Sequence, residues 1–573
     1  MLVLDADMVS ALTISRSLAR KNCVIDVAAS SQNPIASYSN CVDTTYFYPD
    51  PLSRELEFLQ WVAKQTRDVS YDLVIPVTER SLVPISNNRP IFEHVCIAMP
   101  SRESLELALD KEQTMALAKR VDVPIPQGIS LSAIAELEQH LPHLKYPVVL
   151  KPVRSLGTND KGSSQLKVSY AFDEIGLRAG CEHSLKFGPV MLQQYFKGQG
   201  VGVELIARAG EILYAFQHLR LHEVPVSGGG STLRQSVPLE PKLLAAADRL
   251  VTDLKWNGVA MVEFKWNPET KEFCLMEING RFWGSLPLAD AAGADFPAML
   301  LDLELNDKIE LCEPYKTNIY CRKLASDLYW YEAVLRAEPE SGVTDIPSAW
   351  TIFKELRLLF LPRHYFDVQS FSDPIPGLVD LRTIASSYVY RFGELAQEKL
   401  FLWRQKRAWR KGEVAKAISQ ANSLLFICYG NINRSALAGA LLGSYAEDSG
   451  LNVISAGFHK ETGRPADPVM VDVARQHHMN LASSRSIEIT LEMIQQSDII
   501  FAMEKVHIDA LTALDPSCAD RTWLLGAHGG KTKYGAEIGD PYGRSKDTYE
   551  FCYRRIAEAV DNIKGVLAFR RAE

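Results

Sequence analysis

The sequence predicts a multidomain α/β protein, and three observations carry that expectation. Short apolar runs alternate with helical periodicity near the start of the chain, as in a parallel sheet covered by helices. The same alternation returns after residue 421. Between them lie longer strands that carry charged residues and are spaced by glycines. At 573 residues the length suits about four domains. Hydrophobic residues make up 47% and charged residues 23%, the balance of an ordinary soluble protein. A formal net charge of −8 argues against a nucleic-acid partner, which would require a basic footprint. Ten cysteines are scattered without CxxC pairs, which fits a reducing cytoplasmic setting and no structural zinc. Asp5 and Asp7 interrupt the first apolar run, so it does not read as a signal peptide. No run of about eighteen apolar residues offers a transmembrane segment.

Residues 1–105 read as a doubly wound domain. Met1–Ala6 and Val24–Ala29 are strands around a helix at Val9–Arg20, and Leu73–Val77 and Val95–Met99 are further strands. No G-x-G-x-x-G follows the first strand, which argues against a dinucleotide site. The strand ends are expected to line a substrate crevice.

Residues 106–310 change character. Asp110-Lys111 opens a helix to Arg120, and Tyr146–Pro152 is an apolar strand with Lys151 near its end. A loop with Gly157, Asp160, Lys161 and Gly162 follows. A lysine on such a strand is costly unless an anion meets it, and a nucleotide phosphate is a suitable partner. Gln193-Gln194-Tyr195-Phe196 leads into a glycine-spaced strand. His218, Arg220, His222 and Glu223 come next, then Gly228–Ser231. Glu263 lies in the strand Val259–Lys265, and Glu277, Asn279 and Arg281 follow Phe273–Met276. Residues two apart on a strand share a face. Two carboxylates and an amide oxygen are hard ligands suited to a magnesium ion carrying phosphates.

That order of residues resembles the ATP-grasp superfamily over about 1–310, especially its carboxylate–amine ligases and the biotin-carboxylase and carbamoyl-phosphate-synthase branch. The resemblance implies an ATP-grasp fold with an N-terminal pre-ATP-grasp domain. It puts Lys111 and Lys151 on ATP phosphates, Gln193, Gln194, Tyr195 and Phe196 around adenine, and Leu275 as its floor. Glu263, Glu277 and Asn279 would hold Mg2+ or Mn2+, and Arg281 would steady the transferred phosphoryl group or acyl phosphate. His218, Arg220 and the Gly228–Ser231 loop would face substrate. Gly200 stands where many members place a ribose-binding glutamate.

Residues 311–420 are expected to form a helical linker, with Asp345–Ser348, Pro362 and Asp373–Pro376 punctuating short helices. From Ala396 to Lys416 the chain turns basic around Trp403 and Trp409. A connector helix packing its tryptophans on a neighbouring domain is favoured over a helix lying on anionic lipid.

In 421–573 an apolar strand, Leu424–Ile427, delivers Cys428 into the loop Tyr429-Gly430-Asn431-Ile432-Asn433, which runs into Arg434, Ser435 and an Ala/Leu helix. Loop amides and a helix N-terminus form a cradle for a dianion. The Arg434 guanidinium can grip two phosphate oxygens. The same field favours a Cys428 thiolate, which Ser435 can hydrogen-bond. Expulsion of an alkoxide needs an acid, and Asp540-Pro541-Tyr542-Gly543 offers a carboxylate and an aromatic wall. Cys428–Ser435 with Asp540 resembles the low-molecular-weight protein tyrosine phosphatases. The resemblance implies Cys428 as nucleophile, Arg434 and the loop amides of Tyr429–Asn433 as phosphate binders, Ser435 as thiolate stabiliser, Asn431 as loop organiser, and Asp540 as general acid. Asn433 replaces a second loop cysteine often found in that family.

Two catalytic sets in one chain imply a bifunctional enzyme. An ATP- and magnesium-dependent ligase would join a small carboxylate to an amine through an acyl phosphate. A cysteine-dependent phosphomonoesterase would act on a phosphorylated small molecule or a phosphotyrosine protein. The alternative is a regulatory phosphatase with a degenerate, nucleotide-sensing ATP-grasp module.

Overall fold

The computed structural model describes all residues except 155, 160–161, 166–167, 227, 310–312, 336–346, 447–449, 529–534 and 573, with backbone alone for 156–159, 162–165, 349 and 569–572. Asp160, Lys161 and Asp345 therefore lie outside the described residues. The chain forms two compact units, Met1–Ser386 and Ser387–Glu573.

The first unit begins with a parallel sheet ordered Thr44–Phe47, Asp26–Ala29, Leu2–Val3, Val74–Ile75. The helix Val9–Arg20 buries Leu12, Ile14 and Leu18 against it. The strand expected at 95–99 amounts to one parallel bridge, Val74 to Ile97. Next comes an antiparallel sheet ordered Gly128–Leu131, Val190–Gln194, Val148–Pro152, Ser169–Ala171. A two-stranded ribbon, Leu156–Asn159 with Gly162–Gln165, follows Lys151.

The largest sheet has seven strands: Phe273–Asn279, Gly258–Trp266, Gln199–Arg208, Glu211–Val224, Gly230–Val237, Tyr320–Arg322 and His364–Phe366. The last two come from the stretch expected to be helical linker. Strand Gly230–Val237 presents an open edge, and Tyr320–Arg322 pairs with it through Leu233–Gln235. A bulge between Glu263 and Phe264 pairs Glu263 with Glu277 but Phe264 with Leu275, so Met276 is the extra residue. Arg234 and Asp367, each 1% exposed, form a buried ion pair at 2.6 Å. Asp373–Pro376 does not end a helix; it opens a 37-residue one, Pro374–Arg410. Proline is tolerated in a first helical turn because those N–H groups have no intrahelical partner. Buried Asp373 fixes this start by accepting from Arg16 Nε, Ser39 Oγ and the Asn40 amide at 2.7–3.0 Å.

The second unit is a parallel sheet ordered Asn452–Gly457, Ser423–Cys428, Ile499–Ala502, Thr522–Leu524. Ser423–Cys428 is buried throughout, as its apolar run requires in a sheet covered on both faces. The helices Arg434–Ala446 and Lys546–Ala572 pack together. Trp409 stacks on Phe501 with ring centroids 6.0 Å apart, whereas Trp403 stays half exposed beneath the Arg407 guanidinium. Among the described residues no helix is long and apolar enough to cross a membrane.

Candidate functional site

Each unit carries one candidate site. In the second unit, the carboxyl end of Ser423–Cys428 delivers Cys428 beneath the loop leading to the helix Arg434–Ala446. Cys428 is buried; the Asn431 amide donates to its Sγ at 3.3 Å, and Ser435 Oγ lies 3.0 Å away. Asn431 adopts φ 49°, a left-handed conformation that Asn tolerates better than most residues. Its carboxamide donates to Ser435 Oγ and Ser455 Oγ and accepts from the Ile487 amide. That ties the loop to two neighbouring segments. The Arg464 guanidinium adds a bond to the Gly430 carbonyl at 2.7 Å.

Arg434 is almost wholly buried and donates to Asp540 at 2.7 Å, to the Ile538 carbonyl at 2.9 Å and to Glu504. Burial opposes its charge, but Cys428, Asp540 and Glu504 outweigh that and raise its pKa. Its Nε, and both carboxamide atoms of buried Asn433, have no hydrogen-bond partner among the described residues. The cleft above holds Cys428, Tyr429, Gly430, Ile432, Asn433, Asp540 and Tyr542, so every phosphatase residue marked in the sequence except buried Asn431, Arg434 and Ser435 lines it. Those three form its base. Tyr429 and Tyr542 are exposed walls. Sequence reasoning missed His459, Arg464 and Glu504. His459 meets Tyr429 edge-on at 6.0 Å. Only the position of Glu504, directly after the strand Ile499–Ala502 and Met503, could have flagged any of them.

In the first unit, a cleft of about 450 Å³ is lined by both antiparallel sheets, a volume within the usual range for ligand sites. Gln193–Phe196 lie along one side and Glu263, Glu277, Asn279 and Arg281 along another. Asn279 Nδ2 lies 3.1 Å from Glu263 Oε1 and 3.3 Å from Glu277 Oε1. Lys111 Nζ is 3.9 Å from Glu277 Oε2. Lys151 is buried on its strand, and burial lowers its pKa despite Glu277. Burial raises the Glu263 carboxyl despite Arg220, while at Glu277 the two lysines overcome burial and lower it. Arg281 bonds Asn279 Oδ1 at 3.2 Å and Glu79 of the N-terminal sheet region at 3.3 Å.

Two expectations fail here. Leu275 is fully buried in the core rather than flooring the cleft. The bulge turns Leu275 with Phe264 into the core and leaves Met276 on the cleft side. His218 is also fully buried, with Nδ1 2.7 Å from Glu204. It shares a strand face with Arg220 but lies deeper along the sheet, where Ser285 Oγ bonds Glu204 at 2.9 Å and closes over it. Arg220 does line the cleft, paired to Glu263 at 2.6 Å and Glu223 at 3.3 Å. Gly200 and Gly202 make this possible. A Cβ at Gly200 would meet Arg220 Cδ at 2.8 Å, and one at Gly202 would meet His218 Cε1 at 2.4 Å. Glu223, Ser285 and Lys323 are cleft residues not expected as such; the loop that brings Ser285 has no sequence signature.

Among the described residues no three His, Cys, Asp or Glu side chains gather to hold a metal. The set here is two carboxylates and an amide. The two carboxylates offer hard oxygens that fit Mg2+ when substrate phosphates supply the remaining ligands, and the Asn279 oxygen here is turned to Arg281.

The second unit thus holds a buried cysteine beneath a tight loop, and the first a polar cleft lined by lysines, carboxylates and aromatic rings. Comparison with known proteins names both. Residues 423–570 match the model for low molecular weight phosphotyrosine protein phosphatases. Residues 186–325 match the model for ATP-grasp in the biosynthetic pathway with Ter operon. The low molecular weight protein-tyrosine-phosphatase Etp of Escherichia coli (strain K12) is 37% identical over 138 residues, 24% of this chain and 89% of Etp. The probable phosphatase AmsI of Erwinia amylovora is 35% identical over 139 residues, 24% of this chain and 92% of AmsI. The AmsI crystal structure covers 26% of this chain and 93% of its own at 32% identity, with a TM-score of 0.24. Biotin carboxylase from Campylobacter jejuni covers 56% of this chain and 74% of its own at 16% identity, with a TM-score of 0.45. Through its C-terminal domain the chain belongs to the low-molecular-weight phosphotyrosine protein phosphatase family, and it joins that domain to an ATP-grasp domain.

Proposed function

We propose that the chain is a bifunctional enzyme: an ATP-dependent ligase forming an amide-type bond through an acyl phosphate, and a phosphomonoesterase working through a phosphocysteine. The phosphatase half rests on Cys428 lying under Ser435 and the Asn431 amide in one cleft with Asp540. The Cys428 thiolate attacks phosphorus, Arg434 and the loop amides hold the phosphoryl oxygens, and Asp540 protonates the leaving oxygen. The exposed rings of Tyr429 and Tyr542 suit an aryl phosphate.

The observation that carries the ligase half is the convergence of Glu263, Glu277 and Asn279 beside two buried lysines. Lys111 and Lys151 hold ATP phosphates, and Gln193–Phe196 surround the base. Glu263, Glu277 and Asn279 would hold Mg2+, which neutralises phosphate charge when bound. Arg281 steadies charge on the group in transit to the carboxylate, and the amine then displaces phosphate. Gly228–Ser231, Ser285 and Lys323 surround the acceptor.

The test is ADP release by the full-length protein with magnesium-ATP and fractionated metabolites, beside Glu277→Gln. ADP formed only with certain fractions, and lost in the variant, supports the ligase and leads to its acceptor. No ADP with any fraction, together with a nucleotide-dependent phosphatase rate, selects the nucleotide-sensing alternative.

A further inference from the structure

Three carbonyls of the loop after Cys428 are held from outside by the segment 459–467. The His459 amide donates to the Tyr429 carbonyl at 3.0 Å, and the Asp467 amide donates to the Ile432 carbonyl at 3.0 Å. Between them the half-buried Arg464 donates from Nη2 to the Gly430 carbonyl at 2.7 Å. Every peptide of this loop is trans. A trans peptide is planar, so its C=O and the next residue's N–H point in opposite directions. Pinning these carbonyls outward therefore turns the N–H groups of Gly430, Asn431 and Asn433 away from the segment. For Asn431 the result is visible: its amide meets Cys428 Sγ at 3.3 Å. That is the peptide whose carbonyl Arg464 holds.

The three donors differ in kind. Positions 459 and 467 use backbone amides, which any residue but proline supplies, whereas the Gly430 carbonyl depends on one side chain. That side chain is itself fixed. Arg464 Nε donates to the Glu461 carbonyl at 3.3 Å, its amide donates to Ser486 Oγ at 3.0 Å, and its carbonyl accepts from the Ser486 amide at 2.9 Å. A cation on a carbonyl also polarises the peptide and strengthens the N–H at its other end. An N–H on sulfur favours the thiolate over the thiol. The charge of Arg464 thus reaches Cys428 across one peptide group.

We propose that Arg464 is a positioning residue of the phosphatase, aiming the Asn431 N–H at Cys428 Sγ through the Gly430 carbonyl; the inference rests on the phosphatase reading above. The contact serves both halves of the reaction. Before the first step it favours the thiolate that attacks phosphorus. In the second step a water oxygen bonds to phosphorus and gives a proton to Asp540. The P–S bond breaks, its electron pair returns to Cys428, and the same N–H meets the charge that forms there.

The test compares full-length wild type, Arg464→Ala and Arg464→Lys in two ways: steady-state hydrolysis of p-nitrophenyl phosphate, and the rate at which iodoacetate inactivates each protein at neutral pH. For Arg464→Ala, kcat and the inactivation rate are both expected to fall about tenfold, with the Tm of the second unit within about 2 °C of wild type. Arg464→Lys, whose ammonium can donate to the same carbonyl, is expected to recover both rates to within about threefold of wild type. An unchanged kcat in Arg464→Ala, a rise in KM alone, or equal losses in the two variants would overturn the assignment and leave the phosphatase reading standing. If Cys428→Ser hydrolysed the ester as well as wild type, the phosphatase reading itself would fall.

Discussion

The two sites are built in opposite ways. The phosphatase takes most of its site from eight consecutive residues, Cys428–Ser435, carried by one strand and one helix. Asp540 and Tyr542 are its distant contributors among those marked in the sequence. The ATP-grasp cleft instead gathers Lys111, Lys151, Gln193, Arg220, Glu263, Glu277 and Arg281 from several strands and a helix over more than 150 positions. A contiguous loop keeps its geometry through local hydrogen bonds. A dispersed cleft depends on sheet register, and a change far from the chemistry can disturb it.

Substitutions should separate the two sites. Cys428→Ser is expected to lower hydrolysis of p-nitrophenyl phosphate by about 10³-fold or more without changing nucleotide affinity measured by calorimetry. A matching loss of nucleotide binding would show that the units are not independent.

Next in size is Asp367→Ala, which leaves Arg234 buried without its partner and should cost about 3–5 kcal/mol. Arg234 also donates to the Gly284 carbonyl at 2.9 Å. Thermal unfolding should therefore show an earlier first-unit transition with phosphatase activity retained. Coincident loss of both would contradict separate stability.

Glu277→Gln should reduce ADP formation by about 10²-fold and leave ester hydrolysis unchanged. Direct Mn2+ titration should show weaker binding in parallel.

The smallest effect concerns His222. It is buried between Asp327 at 2.7 Å and Glu355 at 2.9 Å and stacks on Trp330. Burial opposes its charge, but the two carboxylates win and raise its pKa. The charged form is therefore favoured by folding. Its stabilisation is complete below the unfolded value of about 6.5 and is lost as pH rises through the higher folded value. A Tm decrease of about 2 °C above pH 6.5 should appear in wild type and be reduced in His222→Gln, with no such difference for the second unit.

The contrast between sites also explains what was legible. The loop Cys428–Ser435 could be read because its chemistry is contiguous. Glu263, Glu277 and Asn279 could be read because residues two apart share a strand face, and this holds from Glu277 onward. Leu275 failed because alternation breaks at Met276, where the bulge adds a residue that no composition signal marks. His218, expected to face substrate beside Arg220, is instead covered by the tertiary contact through Glu204 and Ser285, which nothing in the sequence marks. The strands Tyr320–Arg322 and His364–Phe366 are three residues each, too short for a period-two pattern to emerge.

The bulge has a consequence for sequence variation. It makes the spacing between core and cleft a matter of counting residues, not of chemical type. Deleting Met276 would regularise the ladder with Glu277 still opposite Glu263 and Leu275 still opposite Phe264, and would remove only the extra side chain on the cleft wall. A single-codon deletion there should therefore spare the ATP site more than a deletion of either neighbour, which would shift the alternation. Chains sharing this architecture should therefore tolerate loss of that residue as well as changes in its identity.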